Sequence, residues 1–436
     1  MSISRVGAPA SEGMAITAEE ARIFDERESV IRSYSRAFPA LFSTAKGAEL
    51  HGADGQRYLD FLAGAGALNY GHNHPRLKAA LLAYIEADGL THGLDLHTSA
   101  KARFLRTFSE RILAPRGLDH RVQFTGPTGT NAVEVALKIA RKATGRHGIF
   151  AFMGGYHGHS LGSLAVTANR DHRQGAGTPL GGATFLPYHG GPLADVDSLA
   201  FLRALLEDSH SGVELPAAVI LETVQAEGGV NIASVEWLRE LREVCTEYGI
   251  VLIVDEIQTG CGRTGPFFSF EHAGIVPDVI TLSKSISGYG LPMAITLLRP
   301  HLDLWTPGEH TGTFRGNQLA FVTGAEAIDL FLDEDLEGEV ARKGAIVEAE
   351  LGAIAARHGF EARGVGLIWG LDTCAIDRSG DLSGAIGRRC FADGLIIERV
   401  GRNDTVLKLL PPLTISDDEL RRGLQIIGAA ADACVG

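Results

Sequence analysis

Four short stretches carry residue types that can do chemistry, and each lies where an apolar strand gives way to a loop. In "TLSKSISGYG", Lys284 follows the run that begins at Asp278 and precedes a glycine-rich turn. Lysine is strongly hydrated and rarely buried without a partner. By itself Lys284 reads either as a surface lysine at a loop mouth or as an amine held in a dry place. "LIVDEIQTGCGRTG" ends its strand on Asp255 and Glu256, carboxylates that either cap a loop or face a ligand. "MGGYHGHS" brings Tyr156 and His157 out of a Gly-Gly turn, and a core aromatic is the plain alternative for Tyr156. "VQFTGPTGTNAVE" sets Gly126, Thr128, Gly129 and Thr130 before a helix, where free backbone N–H groups form either an anion site or simply a turn.

Taken together, the four match the needs of one cofactor. Pyridoxal phosphate requires a phosphate cradle, an aromatic face over its ring, a carboxylate opposite its pyridine nitrogen and a lysine that bonds its aldehyde. A lysine in a dry pocket beside a cationic ring has its amine form favoured, so it can attack carbonyls and carry protons. Strand carboxyl ends are also where ligands collect in an open α/β sheet.

The elements that must position these residues follow from the pattern of apolar runs. From about residue 75 to 300, "RVQFTG", "HGIFAFMGG", "AAVILETVQ", "GIVLIVDEIQ" and "DVITLSKS" are continuous apolar strands, and helical stretches such as "NAVEVALKIARKATG" separate them. Strands covered on both faces read this way, and the alternation predicts an α/β domain with a large, mostly parallel sheet. Residues 17–38 predict a helix opened by the capping box "TAEE", and "AELHGADGQRYLDF" predicts a hairpin around Asp54-Gly55. After about residue 330 a long helix (335–357), three short strand regions and a last helix opened by "SDDE" predict a smaller α+β domain. The expected division is 1–70 as an N-terminal helix and hairpin packing with the small domain, 71–328 as the large domain, and 329–436 as the small one.

Composition narrows the function classes. The net charge of −13, with no basic run, argues against nucleic acid or an anionic membrane as partner. The five cysteines are widely spaced with no CxxC, which predicts reduced thiols, no metal site and a cytoplasmic protein. The N-terminal stretch carries Glu12, Glu19 and Glu20 and shows no targeting pattern.

On these residues the chain resembles the class III (omega) aminotransferases, pyridoxal-phosphate enzymes of fold type I, from about residue 20 to 430. The most specific stretch is "IVDEIQTGCGRTG", with Lys284 standing 29 residues after Asp255. The resemblance implies that Lys284 is the Schiff-base lysine and Asp255 the partner of the ring nitrogen. It further implies that Gln258 approaches the phenolic oxygen, Tyr156 stacks on the ring, and Gly129 and Thr130 bind phosphate through their backbone. Glu222 joins the cofactor contacts. Thr313 in "HTGTFRGNQLA" matches a threonine that reaches the neighbouring subunit's phosphate, so the implied unit is a homodimer or larger. "GAGALNYGHNHP", "HGLDLHTSAKARFL" and "GEHTGTFRGNQLAFVT" resemble the diaminobutyrate–2-oxoglutarate branch associated with ectoine biosynthesis.

Some positions depart from other branches. Ornithine- and acetylornithine-type members carry arginine where His159 stands and again where Lys408 precedes Pro411-Pro412. Lysine lacks the bidentate fork that arginine offers a carboxylate. Arg315 in "FRGN" is the candidate replacement, with a surface arginine at the dimer interface as the alternative. Glu227 in "ETVQAEGG" matches the glutamate that pairs with the basic switch residue, and Ala226 stands where that motif usually has glycine. The reaction implied moves the amino group of glutamate onto aspartate 4-semialdehyde. Other diamines or ω-amino acids are the alternative substrates.

Overall fold

The computed structural model describes residues 18–435 apart from Pro192 and Ala194. Its centre is a seven-stranded sheet. In spatial order the strands are Arg121–Phe124, Ile295–Leu298, Val279–Leu282, Val251–Asp255, Ala218–Leu221, Ile149–Phe152 and Ala183–Leu186. Ile295–Leu298 runs antiparallel to both neighbours, and the remaining neighbouring pairs are parallel. The five apolar runs all form strands here. Ala183–Leu186 and Ile295–Leu298, which are not among those five runs, complete the sheet. Val251–Asp255 and Val279–Leu282 lie side by side, with Asp255 opposite Thr281 in the register. Every residue of both strands is buried, which explains the absence of polar alternation along them.

A second sheet of four antiparallel strands, Glu361–Val365, Ile368–Asp372, Val406–Leu409 and Glu398–Val400, belongs to the C-terminal part. The helices Leu336–His358 and Asp417–Val435 share its apolar core. Ser416 and Glu419 form the expected capping box: the Glu419 carboxylate accepts the Ser416 N–H, and the Ser416 hydroxyl oxygen accepts the Glu419 N–H. The hairpin strands Glu49–Gly52 and Arg57–Asp60 turn at Asp54-Gly55, and Arg57–Asp60 pairs in parallel with Leu395–Ile396. Leu59 and Phe61 sit in the same core as the C-terminal helices. The 328/329 boundary falls inside the helix Gln318–Asp333, and the chain breaks only afterwards, at Asp335, whose φ is 45°.

The helix expected over 17–38 is two short ones, Ala18–Arg27 and Tyr34–Ala37; Thr17 lies outside the described residues. Val30 and Ile31 are over 80% exposed, so no tertiary burial supports a continuous helix there. Arg36 donates to the carbonyls of Val30 and Arg32, which a longer helix would have bonded internally.

Candidate active site

Asp255 ends its strand almost wholly buried, and three donors surround its carboxylate. Oδ1 accepts from the Thr281 hydroxyl at 2.9 Å and the Ile257 N–H at 3.1 Å. Oδ2 meets His157 Nδ1 at 2.8 Å. Burial alone would lower the pKa of His157, but the hydrogen bond and charge of Asp255, with Glu222 behind them, raise it overall. His157 is therefore the orienting partner of Asp255. In the sequence it was visible only as the neighbour of Tyr156. Its Nε2 is buried without a partner among the described residues. Glu256, one residue on, caps the loop instead. It accepts from the Ser269 N–H and hydroxyl, the Phe270 N–H and the Thr259 hydroxyl.

Lys284 opens a one-turn 3-10 helix, Lys284–Ser287, with φ at 48°. Burial lowers its pKa, and Glu227 opposes that only in part. Lys408, fully buried on the strand Val406–Leu409, goes the other way. Burial would lower its pKa too, but Glu227 and Glu398 raise it overall. The contrast has a simple cause. Lys408 Nζ lies 2.5 Å from Glu227 and 3.0 Å from Glu398, whereas no carboxylate among the described residues lies within ion-pair distance of Lys284. Lys408 is held charged, and Lys284 is pushed toward the free amine.

Gln258 links the two ends of this cluster. Its Nε2 donates to Ala65 O at 3.2 Å and Glu227 Oε1 at 3.1 Å, and its Oε1 accepts from Lys408 at 3.1 Å. Lys408 lowers the pKa of Glu227 against the effect of burial. Glu222 is buried at the end of Ala218–Leu221, and burial pushes its pKa up to about 7. It accepts from the Tyr156 N–H at 2.9 Å and the Ala226 N–H at 3.3 Å, which fixes both loops. The Tyr156 ring makes edge contacts with His159 and His172, and His159 is exposed.

Gly129 begins the helix Gly129–Thr144. A Cβ there would stand 2.9 Å from Ile257 Cδ1, so the strand-end loop itself demands glycine. The Thr128 hydroxyl turns to Asn131 Oδ1 and caps nothing, leaving the first N–H groups of the helix without a side-chain acceptor. Thr130 Oγ1 sits 2.7 Å from Ser160 Oγ. Thr313 lies on an exposed loop beside Phe314, which is 65% exposed. Arg315 joins none of the cluster contacts; its guanidinium donates to Phe124 O and His310 O and meets His310 Nδ1. Glu398 and Tyr34, which no sequence motif singles out, stand at the cluster, with the Tyr34 hydroxyl 2.8 Å from Glu398 Oε1.

These residues fit pyridoxal phosphate: an uncapped helix N-terminus for its phosphate, a buried carboxylate braced by an imidazole for its ring nitrogen, and an amine without a counter-ion for its aldehyde.

The class III aminotransferase family model matches residues 30–431. A diaminobutyrate–2-oxoglutarate transaminase of Nocardia farcinica is 53% identical over 424 residues, covering 97% of this chain and 96% of that protein. The transaminase of the same name from Wolinella succinogenes is 54% identical over 412 residues, covering 94% and 95%. Among solved structures, the ornithine aminotransferase of Toxoplasma gondii aligns with a TM-score of 0.83 at 29% identity, covering 97% of this chain and 96% of that one. A pyridoxal-phosphate-bound amine transaminase from an uncultivated Pseudomonas species gives a TM-score of 0.83 at 26% identity, covering 94% and 98%. With the family matched along nearly its whole length, the chain belongs to the class III aminotransferases, the pyridoxal-phosphate-dependent transaminases of fold type I.

Proposed function

We propose that this enzyme interconverts L-2,4-diaminobutyrate and 2-oxoglutarate with L-aspartate 4-semialdehyde and L-glutamate. The observation that carries the reading is the identity of more than half, along nearly the entire chain, with transaminases named for that reaction. Lys408 supports it, because a lysine where ornithine-type relatives carry arginine suits a different substrate end.

When bound, pyridoxal phosphate supplies an aldehyde that takes up the amine and a ring that draws electrons from the carbon losing its proton. The N–H groups of Gly129 and Thr130 at the helix start would receive the phosphate, and Tyr156 would offer its ring face. Asp255, held by Thr281, Ile257 and His157, would be the partner of the ring nitrogen. Lys284, with its amine favoured by burial, takes the proton from the substrate carbon and returns it, a role that contributes about 10²–10⁴-fold in rate. Lys408 receives a substrate carboxylate in competition with Glu227. Thr313 completes the phosphate site of a second copy in a homodimer. The exposed apolar residues Phe314, Leu94 and Leu96 support a protein partner on that side, and the His92–Phe314 ring contact brings the two segments together.

Diaminobutyrate, ornithine, 4-aminobutyrate and lysine, each assayed with 2-oxoglutarate for glutamate formation, test the reading. Diaminobutyrate is expected to give the highest kcat/KM, and Lys284→Ala to bring turnover to background. Turnover of another amine with diaminobutyrate inert defeats the substrate assignment.

A further inference from the structure

At the edge of the large sheet opposite Lys284 and Asp255, the surface opens into a cavity of about 750 Å³, a size typical of small-molecule sites. Val251, the first residue of the strand that ends at Asp255, lines it. So does Asp278, which directly precedes the strand leading to Lys284. At about 3.3 Å per residue, the length of that first strand sets the cavity roughly 13 Å from Asp255. No residue assigned to transamination lines it.

Three guanidiniums line this cavity, on a chain whose net charge is −13. Arg239 and Arg242 share one face of the helix Val235–Glu247, and Arg299 follows the strand Ile295–Leu298. Asp278 and Glu243 are the acidic residues of the lining. Asp278 is committed: its Oδ2 accepts from Arg242 at 2.7 Å and from the Leu252 N–H at 2.8 Å. Glu243 is exposed and pairs with none of the three arginines. Arg299 Nε lies 3.7 Å from Asp278 Oδ1, near enough to feel its charge but too far for a hydrogen bond. That nitrogen is buried and has no acceptor among the described residues. Arg239 donates through Nε to Ala273 O at 2.8 Å, and no carboxylate among the described residues lies within ion-pair distance of it.

A buried guanidinium N–H without an acceptor calls for one, and a planar fork of donors is shaped to receive a carboxylate or a phosphate. Buried Ile250, Ile275 and Leu302 line the same cavity and offer an apolar wall to a carbon skeleton. We propose that this cavity is a second ligand site, apart from the site of transamination. It binds a small organic dianion, a phosphate monoester or a dicarboxylate, through Arg239 and Arg299. Such a site serves the enzyme whichever amine it turns over.

Phenyl phosphate and phthalate are the probes, since each joins a dianion to an apolar ring. Titration calorimetry of the holoenzyme at low ionic strength reads their dissociation constants. Replacing Arg239 and Arg299 together by glutamine is expected to weaken binding roughly 10–100-fold, the worth of the charge-assisted hydrogen bonds removed, with kcat/KM for transamination unchanged. Arg388→Gln, at an exposed arginine on the helix Asp381–Ala392, is expected to change neither. Arg299→Lys keeps the charge without the fork. It is expected to weaken binding several-fold, and it carries the test if the double variant fails to fold. Tighter binding of phenyl phosphate assigns the site to phosphate esters, and tighter binding of phthalate assigns it to dicarboxylates. Absence of binding by the wild type overturns the proposal. So does equal binding by the wild type and these arginine variants, which places the anion elsewhere, the transamination site included.

Discussion

Asp255 and Glu256 leave the same strand end one residue apart, and their surroundings give them opposite roles. Asp255 is braced by an imidazole and faces the site. Glu256 is buried under the Ser269–Ala273 turn, where burial pushes its pKa from 4.5 up to about 7. A folded-state pKa above the unfolded value means that the folded form holds a proton which the unfolded chain has already released. The stability contributed is complete below pH 4.5 and is lost as pH rises toward about 7. Glu256→Gln removes this dependence. Its melting temperature is therefore expected to gain on the wild type as pH climbs through that window, by up to about 3 kcal/mol in stability. Thermal melts of both proteins across the pH series provide the measurement, and a constant difference contradicts the assignment. Glu222, also raised to about 7, titrates in both proteins and cancels from the comparison.

At the scale of elements, the turn that carries Lys284 is held by its contact with the helix Gln318–Asp333. Gly288 and Gly290 in that turn let neighbouring parts of the chain pack closely against it. A Cβ on Gly288 would lie 2.4 Å from Ala327 Cβ, at a φ of 74° that side chains avoid, and one on Gly290 would meet Leu68 at 2.8 Å. Gly288→Ala is therefore expected to cost more than about 2 kcal/mol in denaturant unfolding, from overpacking and backbone strain together. Gly352, inside the helix Leu336–His358 with nothing within 4 Å of an added Cβ, gives the opposite sign. Gly352→Ala is expected to stabilise by about 0.5–1 kcal/mol. The turn itself was legible in "LSKSISGYG". Its packing partner was not, because nothing local in the chain names a helix that lies more than thirty residues downstream.

Across the whole molecule, one buried guanidinium ties three distant segments together. Arg263 is fully buried and donates to Leu367 O at 2.9 Å, Pro411 O at 2.5 Å and Asn69 Oδ1 at 2.6 Å. No carboxylate among the described residues lies within ion-pair distance, and burial lowers its pKa to about 9 against a weak opposing pull from Asp60. The segment before the large sheet, the loop after Asp255 and the C-terminal sheet all converge on this one side chain. Arg263→Met leaves three buried acceptors without donors and is expected to cost about 3–5 kcal/mol, read as a fall in denaturant midpoint. Arg263→Lys, which lacks the planar fork, is expected to recover only part of that loss.

The sequence by itself determined the central strands, the residues at their carboxyl ends and the order of Lys284, Asp255, Tyr156 and Gly129 along the chain. Each depends on local patterns, an apolar run followed by a glycine turn, that any neighbour would leave intact. The break in the N-terminal helix, the duty of Arg315 to its own loop, the bracing of Asp255 by His157 and the pairing of Glu398 with Lys408 were decided only by tertiary structure. Those contacts rest on strand register and on which buried groups find donors. Such matters are settled between segments far apart in the chain, where a charged residue in an apolar strand meets its partner only once the sheet has formed.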